Sequence, residues 1–297
     1  MTAISASNLT KAYGSTLAVD SVNLRVEKGE LYGFLGRNGA GKSTFINMLT
    51  GIIRPTEGKV SLLGSENSDM ILSQIGVLPD YSTFYNSMTA VQHIYYFSSL
   101  QGVKLSKKEC LASLEKVGMV QHANVKVGKY SFGMKKKLGI AQAIMNNPDL
   151  LILDEPTSGV DAESAIQIQH LLLHLNKIGT TIFMTSHNLG EVEKICTRLA
   201  IMKDGLIVNE GTLTEIKEKY TESLEVSMEL SDAPDSHLLV RIKEITGPLY
   251  ITGANLKFKA VDDEMIHGIV RLLVNNGIGV HRISANQPDL EDIFLNG

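Results

Sequence analysis

The chain has 297 residues, with 28 basic against 32 acidic side chains, a formal charge of −4, and 43% apolar against 20% charged residues. This composition excludes a disordered chain, and its mild acidity gives no support to a task built on neutralising a nucleic-acid backbone. Only two cysteines are present, Cys110 and Cys196, so no disulfide framework is available and a reducing compartment is expected.

The length predicts about two domains. No stretch approaches the ~18 uninterrupted apolar residues of a membrane span. The first residues lack a basic segment followed by an apolar one, so no signal peptide is expected.

Strands are predicted near 4–10 and 17–26. The apolar run Leu31–Leu35 then enters a glycine-rich turn, followed by a helix from about Lys42. Residues 89–146 read as a helical insertion without a strong strand. Two further apolar runs, Leu150–Leu153 and Thr180–Thr185, alternate with helical patterns, which argues for a parallel sheet covered on both faces. Segments 199–203 and 206–210, joined by Asp204-Gly205, predict a hairpin with a primed turn.

Composition shifts after Gly211. A charged helix over about 212–220 leads to strand 223–230, helix 236–246, strands 248–252 and 255–261, helix 263–276, strand 278–284 and a short helix from Asp289. That βαββαβ order predicts a small α+β, ferredoxin-like domain. The expected division is 1–215 and 220–297, with a helical subdomain over about 81–146.

Gly36-Arg37-Asn38-Gly39-Ala40-Gly41-Lys42-Ser43 fits G-x-x-x-x-G-K-[ST], a chance match in roughly one chain in a hundred of this length. A strand precedes it and an apolar helix follows. Glycines let successive N–H groups converge on phosphate oxygens, and the helix N-terminus adds positive partial charge. Lys42 is placed to reach the β- and γ-phosphates and Ser43 to ligate Mg²⁺; Arg37, Asn38, Gly39, Ala40, Gly41 and Thr44 complete the expected nucleotide-binding turn.

Leu150–Leu153 runs into Asp154-Glu155, which puts two carboxylates at the C-terminal end of a buried strand, where open α/β sheets bind ligands. Asp154 is suited to Mg²⁺ and Glu155 to accepting a proton from an attacking water.

Between these motifs stands Tyr130-Ser131-Phe132-Gly133-Met134, followed by Lys135-Lys136-Lys137-Leu138-Gly139-Ile140-Ala141. This segment resembles the signature sequence of ATP-binding cassette (ABC) transporter ATPases, a branch of the P-loop NTPases. Ser158-Gly159-Val160-Asp161 resembles the loop that follows in that family, Thr185-Ser186-His187 its switch histidine, and Tyr13 the aromatic that stacks on adenine. The resemblance covers roughly residues 3–215.

It implies an ABC ATPase core of mixed sheet, antiparallel β part and helical subdomain, with ATP and Mg²⁺ as ligands. It also implies a head-to-tail dimer, of two copies or of this chain with a related ATPase, in which each ATP lies between one copy's phosphate loop and the other's Ser131 and Gly133. His187 would orient Glu155 and the water, and Asp161 would couple the two sites. The chain would drive export through a separate polytopic membrane subunit, from the cytoplasmic face of the membrane, with no nucleic-acid partner.

Three positions depart from the family pattern. Phe132 and Met134 stand where glycine and glutamine are usual, so Phe132 must point away from the nucleotide for the site to close. Asp80 stands where glutamine usually touches Mg²⁺; an acid there, and the segment Pro288–Phe294, resemble the branch exporting drugs and antimicrobial peptides. The alternatives are a soluble ABC ATPase acting on ribosomes or nucleic acid, against which a single phosphate loop and no sustained heptads speak, and an importer ATPase.

Six aromatics fall within 81–97: Tyr81, Phe84, Tyr85, Tyr95, Tyr96 and Phe97. At least half are expected in the core of the helical insertion; the competing reading is a groove receiving a helix of the membrane subunit. His170 and His174 share a helix face but lack a third metal ligand. Lys135–Lys137 reads as an exposed helix face, and both cysteines as packing residues.

Overall fold

The computed structural model describes residues 1–66, 71, 74–80, 84–220 and 224–286. The chain divides into two compact units, Met1–Leu213 and Thr214–Gly297.

Among the described residues the first unit holds two sheets. Strands β1 (Thr2–Tyr13), β2 (Thr16–Glu27) and β4 (Glu57–Leu62) form an antiparallel sheet in the order β2-β1-β4. The second sheet has the order β5-β6-β7-β3-β8-β9, built from β3 (Leu31–Leu35), β5 (Ile75–Leu78), β6 (Leu150–Leu153), β7 (Thr181–Ser186), β8 (Arg198–Lys203) and β9 (Leu206–Thr212). All its pairings are parallel except that of β8 with β9.

Every residue of β3, β6 and β7 is buried, which accounts for their near-continuous apolar runs. Strands β4 and β5 escape the sequence reading for opposite reasons. The first is largely exposed and polar, and the second is only four residues long.

Helix α1 (Lys42–Leu49) is anchored to the second sheet by rings. Phe45 lies 5.0 Å from Phe34 and 6.1 Å from Phe183 between centroids. Burying each such ring contributes about 1.5–3 kcal/mol, so the helix that follows the glycine-rich turn is fixed by its own apolar face. The predicted primed turn is present, with φ of 49° at Asp204 and 84° at Gly205. The Gly205 N–H donates to Ala40 O at 3.0 Å, which ties this hairpin to the glycine-rich turn.

The helical insertion consists of α2 (Ala90–Leu100), α3 (Lys107–Lys116) and α4 (Phe132–Ile144). Capping boxes open the first two, Thr89 with Gln92 and Ser106 with Glu109, each satisfying donors that a helix start leaves open. The expectation for the aromatics is corrected here. Tyr85 and Tyr95 are exposed, and Phe84, Tyr96 and Phe97 are half-buried; Tyr81 lies outside the described residues. The buried face of α2 is Ala90, His93, Ile94 and Ser98, so positions 95–97 flank that face instead of forming it. His93 is the buried ring, with Phe97 4.5 Å and Phe84 5.1 Å from it.

Helices α5 (Ala162–Lys177) and α6 (Leu189–Ile195) follow β6 and β7, and α7 (Leu213–Tyr220) begins at the division between the units. The second unit contains β10 (Leu224–Leu230), α8 (Ser236–Thr246), β11 (Leu249–Thr252), β12 (Asn255–Ala260), α9 (Asp263–Asn275) and β13 (Val280–Asn286). Its sheet is antiparallel in the order β11-β12-β10-β13. Its core is formed by alternate strand residues such as Val226, Met228, Leu256 and Phe258, packed with Leu238, Ile242, Ile269 and Leu273 of the helices. The segment 288–294 and the helix expected from Asp289 lie outside the described residues.

Candidate active site

The glycine-rich turn leaves β3 and closes on α1 through Gly41, whose φ of 109° suits glycine alone. A Cβ there would lie 2.3 Å from Ala18 O, inside backbone that has no room to shift. No side chain caps α1, so the first N–H groups of that helix remain available to an anion. Arg37, Asn38, Gly39 and Ser43 are exposed, Thr44 is half-buried, and Ala40 and Lys42 are buried. Lys42 Nζ donates to Gly36 O at 2.6 Å and lies 3.4 Å from Glu155 Oε1. A turn of open donors around a buried ammonium fits a polyphosphate.

The C-terminal ends of β5, β6 and β7 supply the acidic side. Glu155 has a φ of 50°, a left-handed conformation unusual outside glycine. Its N–H donates to Thr185 Oγ1 at 2.9 Å, while the same hydroxyl donates to Asp154 Oδ1. One buried threonine thus holds the backbone of one carboxylate residue and the side chain of the other. Glu155 Oε2 lies 2.8 Å from His187 Nδ1, so Lys42 and His187 take one carboxylate oxygen each.

Burial pushes the Asp154 carboxyl above its ordinary range, while hydrogen bonds from Thr185 and Ser43 pull it down and the neighbouring Asp80 and Glu155 charges raise it. Asp80 follows β5, and its Oδ1 lies 3.9 Å from Lys136 Nζ. The structure therefore brings Lys42, Ser43, Asp80, Asp154, Glu155 and His187 into one connected cluster. The donor set of a serine hydroxyl and two carboxylates, all oxygen, fits a hard cation such as Mg²⁺.

Ser131, Gly133 and Asp161 belong to a second group of contacts. Ser131 caps α4, accepting from Met134 N at 3.2 Å, and Asp161 caps α5, accepting from Ser164 N at 2.9 Å. That hydrogen bond holds the Asp161 carboxyl below its usual range. The site of a Gly133 Cβ faces Val160 at 3.6 Å, and a Cβ on Gly159 would lie 2.5 Å from the Phe132 ring. The ring of Phe132 therefore rests on the loop 158–161, where only a glycine leaves space for it. Tyr13, at the end of β1, is half-exposed, with Lys11 Nζ 5.3 Å from its ring centroid.

The lysine run is corrected. Lys135 and Lys137 are partly exposed, but Lys136 is buried. It stands three, four and seven residues before Gly139, Ile140 and Ala143 on the buried face of α4, a helical spacing legible in the sequence. Thr185, which the motif presents only as a neighbour of His187, joins the cluster; a hydroxyl near the end of a fully buried strand needs a partner, which is the signal that marks it. Glu191 belongs to no sequence motif; it accepts from Thr157 Oγ1 and from Ser186 Oγ, joining the loop after β6 to the end of β7. His170 and His174 are exposed, and no group of metal ligands occurs around them among the described residues. Both cysteines are free and buried.

The sequence profile of the ABC transporter family matches residues 19–158. The bacitracin transport ATP-binding protein BcrA of Bacillus licheniformis is 35% identical, the alignment covering 99% of this chain and 96% of that protein. The chain belongs to the ABC transporter ATP-binding proteins. As a member it is an ATPase. The linearmycin resistance ATP-binding protein LnrL of Bacillus subtilis is 30% identical over 99% of this chain and 97% of its own length.

Among solved structures, a dimeric ATP-binding cassette in a post-hydrolysis state, bound to ADP and phosphate, superposes with a TM-score of 0.66 at 27% identity. The match covers 71% of this chain and 98% of that one. The ABC ATPase core is thus the fold of the first unit.

Thr185→Val keeps the shape of the side chain but removes both hydrogen bonds. Steady-state ATPase assays should show kcat falling on the order of 10–100-fold, with nucleotide affinity within a few-fold of wild type and activity restored by Thr185→Ser.

Proposed function

We propose that this chain powers export of an antibiotic or related drug or peptide through a separate polytopic membrane subunit, with ATP hydrolysed in the cluster of Lys42, Glu155 and His187. The observation that carries the chemistry is the placement of Glu155, which lies between Lys42 and His187 beside the uncapped N-terminus of α1. Lys42 neutralises the terminal phosphates, and Glu155 accepts a proton from the attacking water. The new bond forms from that water to the γ-phosphorus as the bond to the bridging oxygen breaks, leaving ADP and phosphate. His187 holds the far oxygen of Glu155 and so keeps the carboxylate facing the water.

Mg²⁺, when bound, supplies charge neutralisation on the β- and γ-phosphate oxygens. Ser43 and Asp154 are the residues that would hold it, with Asp80 beside them. Tyr13 offers its exposed ring to the adenine, and Arg37, Asn38, Gly39, Ala40, Gly41 and Thr44 enclose the phosphates.

The dimer reading rests on the start of α4. Ser131 Oγ accepts from its own helix, so its hydroxyl proton stays available to a phosphate held by a second copy or a related ATPase. Gly133 offers a helix-start N–H to the same anion. Phe132, resting on Gly159, leaves that helix start open, and Asp161, which caps α5 beside it, helps couple the two sites.

Among the described residues no helix is long and apolar enough to cross a membrane. The exposed ring of Tyr85 and the half-buried rings of Phe84, Tyr96 and Phe97, which follow the Asp80 loop, support a docking place for a helix of the membrane subunit. The chain then sits at the cytoplasmic face of the membrane through that partner, without nucleic acid.

In this proposal the ATPase spans 1–215, with a helical subdomain over about 81–146, and 220–297 form an accessory domain. The strand order β11-β12-β10-β13 supports a ferredoxin-like fold for the latter. The antibiotic-transport and resistance proteins align with this chain over nearly their whole length, which supports export over the importer and ribosome alternatives.

Glu155→Gln should retain ATP binding, lose roughly 10²-fold or more of its turnover, and elute as a dimer only with ATP present; near-normal turnover removes Glu155 from its role. Affinity purification from detergent-solubilised membranes of the native host should recover a polytopic protein, identified by mass spectrometry, and recovery of ribosomes instead overturns the export reading.

A further inference from the structure

Lys136 is a charged side chain in an unusual place. It is 5% exposed, on α4, five residues beyond the helix-capping Ser131. Its ammonium donates to Asp154 O at 3.3 Å and lies 3.9 Å from Asp80 Oδ1. Asp80 and Asp154 leave the ends of neighbouring parallel strands, where Leu78 pairs with Leu153. One ammonium therefore spans the ends of β5 and β6 while its stem belongs to the helix that begins at Ser131.

A buried cation persists only when paired and hydrogen-bonded. Here burial draws the Lys136 ammonium below its usual range, and the charges of Asp80, Asp154 and Glu155 push it back up. From the other side, three carboxylates share this cleft with Lys42, and Lys136 is the second ammonium that faces them. Asp80 stands 34% exposed beside it.

We propose that Lys136 is a positioning residue that ties the helix opening at Ser131 to the catalytic strand ends, forming with Asp80 a charge pair in which each makes the other tolerable. The proposal rests on the reading of the cluster as the ATP site. It accounts for an acid at position 80: the negative charge stands near the phosphates because a buried lysine offsets it. It also gives the signature segment a connection inside its own chain. Any displacement of α4 relative to β6 must carry the ammonium along or break its contacts with Asp80 and Asp154 O.

The test is a double-mutant cycle of Lys136→Met, Asp80→Asn and the double variant. Binding of a fluorescent, non-hydrolysable ATP analogue to the full chain is measured in EDTA, so that loss of a metal ligand at 80 does not enter. Lys136→Met leaves an unbalanced carboxylate beside the phosphates and should weaken binding at least fivefold. Adding Asp80→Asn should bring affinity back to within twofold of wild type, and the melting temperature should recover in parallel.

A double variant as weak as the product of the two single effects overturns the proposal, because a lysine that acts only through packing is not rescued by removing the carboxylate 3.9 Å from its ammonium. If Lys136→Met does not fold alone, soluble expression of the double variant supports the pair, and failure of both to fold overturns it. Failure of the wild-type chain to bind the analogue strikes the ATP-site reading itself, a result distinct from any loss of coupling.

Discussion

Three carboxylates, Asp80, Asp154 and Glu155, meet at the ends of buried strands, and the rest of the site is arranged around the cost of holding them there. Like charges in a poorly hydrated place repel, and burial alone already pushes the Asp154 carboxyl upward. The molecule answers with cations from two separate elements, Lys42 from the start of α1 and Lys136 from α4. Neither lysine is near the carboxylates in sequence. Each is delivered by an apolar helix face, Phe45 packing on Phe34 for one and Leu138, Ile140 and Ala141 buried for the other. Core packing and site electrostatics are therefore the same constraint seen from two sides.

The backbone takes part as well. Glu155 adopts a left-handed conformation, which for a residue with a side chain costs on the order of 1–2 kcal/mol. The hydrogen bond from its N–H to Thr185 offsets part of that cost. Turning the chain so sharply at that point separates two adjacent carboxylates: Asp154 faces Ser43 and Thr185, and Glu155 faces Lys42 and His187. Neighbours in sequence thereby acquire different surroundings.

Much of this was legible in the residues. The glycine-rich turn, the acids after Leu150–Leu153 and the Asp204-Gly205 hairpin each carry a local signal, and the βαββαβ order of the second unit follows from alternating strand residues and amphipathic helices. What escaped depends on partners far along the chain. Strand β4 is polar and recognisable by its pairing with β1; Thr185 matters because β7 lies beside β6. At least half of the aromatics of 81–97 are expected in the core, whereas the register of α2 turns His93 inward and leaves Tyr95, Tyr96 and Phe97 at its flank. Lys135-Lys136-Lys137 reads as a solvated charge run, although the helical period sets its middle residue on the buried face of α4.

The position of β3 also governs when the protein becomes competent during synthesis. This strand carries the glycine-rich turn, yet its two sheet neighbours are β7 and β8, and the turn itself is braced at Ala40 by Gly205. The ribosome must therefore release more than 150 further residues before the turn at 36–43 acquires its lasting supports. Such late closure of distant contacts slows folding and prolongs exposure of apolar strands. A nascent chain that ends before the hairpin of β8 and β9 has the glycine-rich turn in its sequence without the strand and the Gly205 hydrogen bond that brace it.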